Sequence, residues 1–374
     1  MISFSRTDRS VMGCWWWTID RWSMAALALL MVIGALLIMA ASPAVAERIG
    51  AEHFHFVRRQ FLFVPPALLL MVVSSLASPR LVRRLACLGL VVSVALMIAT
   101  LGMGQEVKGA ARWLSLGGLS LQPSEFVKPS FAVVAAWMFA SQQQADRIPG
   151  NLVALALYLL VACLLLLQPD VGMTLVISAV WFVEFFLAGL PLLWVVMATV
   201  SGLAGLVGAY FAFSHVQARV DSFLDPAAGN SYQVMTALQA FHNGGLFGRG
   251  PGEGRVKAVL PDAHTDFIMA VAGEEFGLVL CLLVVGLFGF VVLRGFTRML
   301  AEENLFVLLA ASGLLVQFGL QAIINLASTL RLMPTKGMTL RFISYGGSST
   351  LALALGMGMM LALTRKRYGR EAAL

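Results

Sequence analysis

An all-α integral membrane protein with ten transmembrane helices, and a large extracytoplasmic loop between the seventh and eighth, is the fold class this sequence predicts. Three observations carry the prediction. The 374 residues are 59% hydrophobic and 12% charged, with a mean hydropathy of +0.86, a balance foreign to soluble domains. Apolar runs long enough to cross about 30 Å of hydrocarbon recur along the chain. The weak alternation of a transmembrane barrel is absent. With no water in the hydrocarbon core, long apolar runs must satisfy their own backbone groups and so become helices. Residues 1–374 read as a single polytopic membrane domain.

Residues 1–21 form a polar N-terminal segment, and the first apolar run covers 22–43. Ala44-Val45-Ala46 behind it resembles a signal cleavage site. A signal's apolar region spans only about 7 to 15 residues, so the run is read as a retained anchor. Further runs follow at 61–77, 85–104, 125–140, 151–168, 171–187 and 191–213, then at 266–293, 303–326 and 348–364. Residues 214–265 interrupt them with a long, polar, glycine-rich loop, a kind of insertion that is usually functional or disordered.

The 26 basic residues divide equally between the two sides of this topology. Leaving out those in the long loop, as the positive-inside rule directs, favours the side carrying the N-terminus, the 78–84 loop and the 365–374 tail. Both termini are therefore expected in the cytoplasm. Basic residues on the outer side run against that bias: Arg112, Lys128, Arg219, Arg249, Arg255, Lys257, Arg331, Lys336 and Arg341. As a set they point to a phosphate-bearing ligand, while any one of them could simply meet lipid headgroups.

Cys14, Cys87, Cys163 and Cys281 suggest no disulfide framework, and the five histidines show no zinc spacing. Gly248-Arg249-Gly250-Pro251-Gly252 lacks the lysine-serine ending of a nucleotide-binding loop. No protein-held metal and no nucleic-acid partner are expected.

Four constellations carry chemistry. The first is Arg112-Trp113 followed by Gln122-Pro123-Ser124-Glu125 and Lys128, with Glu125 and Lys128 three apart on one helical face. It reads either as a capped helix with a local ion pair or as a phosphate contact at Lys128 held by Glu125. The second is Gln168-Pro169-Asp170, where Asp170 caps the returning helix or orients an arginine. The third runs from Asn325 to Ser349 and contains Pro334-Thr335-Lys336-Gly337 and Ser344-Tyr345-Gly346-Gly347-Ser348-Ser349. The fourth is His264-Thr265-Asp266-Phe267, continuing to Glu274 and Glu275, carboxylates inside an apolar run that are functional candidates by default. Glu184 lies nearer the cytoplasmic end and is expected to reach water.

In this order the motifs resemble those of the SEDS proteins (shape, elongation, division and sporulation), bacterial membrane enzymes that polymerise peptidoglycan, and the resemblance covers nearly the whole chain. Pro334-Thr335-Lys336-Gly337 is similar to the division-type members, since rod-shape members usually lack that lysine. Two positions depart from the pattern: Arg341 stands where the family usually has proline, and Ala111 where a second basic residue often precedes Arg112-Trp113.

The resemblance implies transfer of a glycan chain between lipid II molecules at the outer face of the bacterial inner membrane, with undecaprenyl pyrophosphate as leaving group. It implies Asp266 as general base. Substrate-binding roles fall on Arg112, Trp113, Gln122, Ser124, Glu125, Lys128, Asp170, Arg219, Lys257, His264, Lys336, Ser344 and Tyr345. A divalent cation at the pyrophosphate is the one cofactor it allows. Partners would be lipid II, the growing glycan strand, a class B penicillin-binding protein and other septal membrane proteins. A lipid II flippase, a recruiting scaffold and the rod-shape member of the same family remain open at this point.

Overall fold

The computed structural model describes residues 10–50, 52–107, 110–116, 119–143, 149–189, 191–225, 232–335 and 337–366. The predicted N-terminal segment contains a short helix, α1 (Val11–Thr18). Its buried Trp15 donates an indole N–H to the Ser75 hydroxyl at 2.9 Å. Polarity alone concealed this helix, because three consecutive tryptophans suit an interfacial position.

Each of the ten apolar runs falls on one helix: α2 (Arg21–Arg48), α3 (His55–Ser75), α4 (Pro79–Met103), α5 (Pro123–Gln143), α6 (Gly150–Leu167), α7 (Val171–Leu187), α8 (Leu192–Ala212), and, after two short helices, α11 (Ile268–Met299), α12 (Leu305–Thr329) and α13 (Gly347–Leu363). Seven of them are long and apolar enough to cross a membrane, while α7 and α13 are apolar but shorter. Helix α5 is less apolar for a physical reason. It packs against α4, α6, α7, α12 and α13 and buries nearly every residue from Pro123 to Ser141, so it has little need to face lipid.

The start and end of the described chain meet at one end of the bundle. Lys366 donates its backbone N–H to Thr18, and Arg365 Nε reaches the Thr18 hydroxyl at 3.1 Å. Asp20, which caps α2, is held there by Arg294 at 2.7 Å and Arg298 at 3.0 Å. Burial works to raise the Asp20 pKa, but the bond to Arg294 and the charge of Arg298 outweigh it and hold the carboxyl below its ordinary value.

At the opposite end the connections are more ordered than the sequence suggested. Three short strands, β1 (Gln105–Val107), β2 (Ala110–Leu116) and β3 (Leu119–Leu121), form a small antiparallel sheet, which was not foreseen because its strands are too short for alternation to register. The predicted 214–265 loop holds α9 (Ser214–Leu224), α10 (Tyr232–Gly244) and a 3-10 turn at Val256–Ala258.

Helix α11 is broken at Gly277, where φ is +77°. The loop after α10 tucks against this break: Arg249 and Gly250 donate backbone N–H groups to Glu274 and Glu275, and Leu278 and Val279 donate to Gly245 and Leu246. The approach requires bare glycine, since a Cβ on Gly277 would stand 2.3 Å from the Leu246 carbonyl oxygen. The two glutamates serve this junction. Glu274 accepts from the backbone N–H groups of Arg255 and Val256, and Glu275 accepts from that of Gly252 at 2.8 Å. A carboxylate inside an apolar run thus meets amide donors in a folded-back loop.

Glu184 departs from expectation in the other direction. It is fully buried, and neither carboxylate oxygen has a hydrogen-bond partner among the described residues. Gly313 of α12 brings the helices close enough to cover it, for a Cβ there would lie 1.9 Å from Glu184 Oε1.

Candidate functional site

The end of the bundle remote from the two chain ends gathers charge from five elements. Strand β2 carries Arg112. Its Nε donates to the Gln168 carbonyl at 2.9 Å, a further N–H donates to the Pro169 carbonyl, and Nη1 lies 3.4 Å from Asp170 Oδ2. Asp170 Oδ1 meanwhile accepts from Met173 N–H at 3.1 Å as the cap of α7. Both readings of this aspartate therefore hold at once: one oxygen caps, the other orients an arginine. Trp113 follows on β2 and pairs with Gln105.

Helix α5 begins behind buried Gln122 with a first turn whose carbonyl-facing start is tightened by the Glu125 N–H bond to the Gln122 carbonyl. Glu125 and Lys128 meet at 2.8 Å with both side chains buried. The remaining contact of Lys128 is to the Met173 thioether at 3.2 Å, a weak acceptor. One turn before Lys128 on the same face, the buried Ser124 hydroxyl has no hydrogen-bond partner among the described residues. An ammonium and a hydroxyl with unspent donors, both buried and one turn apart on one helix, are what an anionic oxygen ligand would satisfy.

Arg341, noted only as a departure from the pattern, proves central. It is 4% exposed; Nη1 and Nη2 grip the two Glu125 oxygens at 2.8 and 3.2 Å, and Nε donates to Gln321 Oε1 at 2.6 Å. Sequence reasoning offered it as a further phosphate contact, but its charge is spent on Glu125. Gln321 was missed, although Gln317, Gln321 and Asn325 recur every four residues in an otherwise apolar helix, a spacing that marks one polar face.

Asp266 sits half-buried one residue before the Phe267 N-cap of α11. Its position is fixed through the backbone. Asn325 Nδ2 donates to the Asp266 carbonyl at 2.9 Å and to the Met338 carbonyl at 2.6 Å. The Ser344 hydroxyl donates to the Thr265 carbonyl at 2.5 Å, and Tyr345 N–H to the His264 carbonyl at 3.0 Å. His264 packs its ring 4.4 Å from Phe56 and 5.6 Å from Tyr345. Ser344, Tyr345 and His264 therefore hold the Asp266 segment, a role the sequence did not separate from ligand binding. Gly337, at φ +63°, passes so close that a Cβ there would lie 3.4 Å from Asp266 Oδ2; neighbouring Lys336 lies outside the described residues.

Arg219 of α9 joins these parts. Its pKa is pushed down, first by desolvation and then by the like charge of Arg112, while Asp266 and Asp170 oppose the shift. It remains a cation at neutral pH. Arg112, Asp170, Arg219 and Asp266 thus share one electrostatic neighbourhood although they come from β2, α7, α9 and the entry to α11. Lys257 is placed differently: its ammonium bonds Glu275 at 2.5 Å and the carbonyls of Ala40 and Gly252, so its charge serves the α11 junction. An open apolar groove of about 600 Å³ exists beside α2 and α3, lined by Trp16, Arg21, Trp22 and Leu68 among others, and among the described residues no carboxylate lines it.

Comparison with known proteins fits this geometry. Residues 21–369 match the model of the cell cycle protein family FTSW_RODA_SPOVE. A probable peptidoglycan glycosyltransferase FtsW of Caulobacter vibrioides is 48% identical over 372 residues, covering 99% of this chain and 95% of that protein. One of Saccharophagus degradans is 36% identical over 358 residues, covering 93% and 92%. Among solved structures, a chain from work on structural coordination of polymerization and crosslinking by a peptidoglycan synthase complex superimposes with a TM-score of 0.76 at 28% identity, covering 92% of this chain and 97% of that one. The Thermus thermophilus rod shape determining protein RodA does so with a TM-score of 0.67 at 28% identity, covering 93% and 97%. The chain belongs to the FtsW, RodA and SpoVE family of cell cycle proteins.

Proposed function

We propose that this chain is a peptidoglycan glycosyltransferase that polymerises lipid II at the outer face of the cytoplasmic membrane during septal wall synthesis. The observation that carries the mechanism is a shared electrostatic neighbourhood at this end of the bundle: Arg219 feels the charges of Asp266, Asp170 and Arg112, and Asp170 in turn pairs with Arg112 and acts on the buried Lys128. The 4-hydroxyl of one lipid-linked sugar attacks the anomeric carbon of another chain's terminal sugar. A C–O bond forms there as the bond to the pyrophosphate oxygen breaks. The hydroxyl proton passes to Asp266, and the electron pair leaves on undecaprenyl pyrophosphate. Because pyrophosphate is a good leaving group, the site needs one base and fixed positive charge more than a strong general acid. Lys128, Arg112 and Arg219 supply that charge, with Lys336 as the further candidate from the sequence.

In this reading ten helices cross the membrane, both termini face the cytoplasm, and the 214–265 segment covers the outer site with α9. A class B penicillin-binding protein that crosslinks the new strands is the natural partner. Among the described residues no three His, Cys, Asp or Glu side chains converge. A divalent cation is proposed only as a companion of the substrate's phosphates. Chelation with EDTA should then lower the rate and added magnesium restore it; a rate indifferent to EDTA removes the cation from the account.

A transporter reading has one observation in its favour: buried polar groups, Gln321, Gln317 and Glu184, extend below the site. The purified protein given lipid II in detergent separates the two. Glycan polymer is expected, and because no compartments exist there, transport cannot produce it. Lipid II recovered unchanged, together with flipping in proteoliposomes, would establish the transporter instead.

A further inference from the structure

We infer that Arg341 is a positioning residue for the pyrophosphate: by taking both oxygens of Glu125, it leaves Lys128 with an unspent positive charge to offer phosphate oxygens. The inference rests on the polymerase reading above and extends it to a residue that does not touch substrate. Its basis is charge counting in a desolvated place. Lys128, Glu125 and Arg341 have side chains 1%, 5% and 3% exposed, so water screens little among them.

If Lys128 and Glu125 stood alone, each would neutralise the other and the pair would present no net charge. Arg341 changes that sum to one surplus positive charge. Its fork is bidentate on Glu125, the geometry in which guanidinium binds carboxylate best. Lys128 holds one Glu125 oxygen and a thioether. The trio therefore keeps one surplus positive charge, and the ammonium, which has a donor beyond those two contacts, lies on the same helical face as the Ser124 hydroxyl, unpartnered among the described residues. A second carboxylate, Asp170, acts on Lys128 but is itself paired with Arg112.

The same side chain also ties the phosphate end of the site to the base. Arg341 bonds Gln321 of α12, one turn before Asn325, whose amide holds the Asp266 carbonyl. Its own segment continues directly to Ser344 and Tyr345, which hold Thr265 and His264.

The test compares Arg341→Leu, Arg341→Lys and the double variant Glu125→Gln with Arg341→Leu, each purified and assayed with lipid II in detergent, with inorganic pyrophosphate as inhibitor. Wild-type polymerisation must first be present; its absence would refute the reading beneath, not this inference. Arg341→Leu should raise the KM for lipid II and the half-inhibitory pyrophosphate concentration about tenfold each, with kcat within about threefold. Arg341→Lys, which keeps the charge, should stay within about threefold on both. The double variant returns the surplus charge to Lys128 and should recover to within about threefold of wild type. Unchanged pyrophosphate inhibition in Arg341→Leu, an equal loss in Arg341→Lys, or no recovery in the double variant would overturn the inference. Arg341→Gln replaces the leucine variant, with the same expectations, if that protein does not fold.

Discussion

Asp266→Asn is expected to lower the kcat for lipid II polymerisation by about 10²- to 10⁴-fold, the range lost with a general base, while the protein folds and binds lipid II as before. The expectation of unaltered folding comes from how this residue is held. The bonds from Asn325, Ser344 and Tyr345 all reach backbone carbonyls of residues 264–266, and the substitution keeps every one of them. Asparagine also keeps the volume beside Gly337. What it removes is the ability to take a proton. If the residue were only a cap, asparagine would serve about as well, and the rate would stay near wild type. Steady-state rates on matched amounts of monodisperse protein distinguish the two.

Lys128→Met should lower kcat/KM about 10²- to 10³-fold, the scale seen when a fixed electrostatic donor to a developing anion is removed. Deleting one member of a buried ion pair ordinarily costs about 3–5 kcal/mol, because the partner is left charged and alone. Here Glu125 retains Arg341, and methionine fills much of the space beside Met173. The protein should therefore melt close to wild type while losing activity. A melting point that falls in step with the activity would instead mark Lys128 as a structural ion-pair member.

Much of the bundle was legible because one principle dominates it: apolar length suits a helix in hydrocarbon, and seven of the helices on which the apolar runs fall are long and apolar enough to cross a membrane. The places that misled are those where polar groups are satisfied by distant parts of the chain. Glu274 and Glu275 looked functional because the sequence cannot show that a loop about 20 residues earlier folds back to donate N–H groups to them. Lys257 looked like a phosphate ligand for the same reason, its partner Glu275 standing 18 residues away. Glu184 looked solvated because its nearness to a helix end was visible, whereas the glycine on α12 that lets it be covered was not recognisable as its neighbour.

At the site, the identities of Arg112, Glu125, Lys128, Asp170 and Asp266 were readable as residue types in unusual places, but their division of labour was not. Arg341 shows the limit most clearly. A basic residue outside the membrane-bias pattern signals an anion, and the sequence offered phosphate as that anion. The structure supplies a nearer one in Glu125, more than 200 positions earlier, and turns an apparent ligand contact into a counter-charge. The polar spacing Gln317, Gln321 and Asn325 carried a usable signal that one face of α12 looks toward the site.

The central claim, that Asp266 drives glycan transfer at this outer charge cluster, is tested most directly by counting products from labelled lipid II in detergent. Undecaprenyl pyrophosphate released and glycosidic bonds formed would be measured for wild type and Asp266→Asn at equal folded concentration and with lipid II bound to equal extent. One pyrophosphate-linked carrier released per bond formed is expected from wild type, and both products at a rate about 10²- to 10⁴-fold lower from the variant. Polymer from Asp266→Asn at a rate comparable to wild type would contradict that claim.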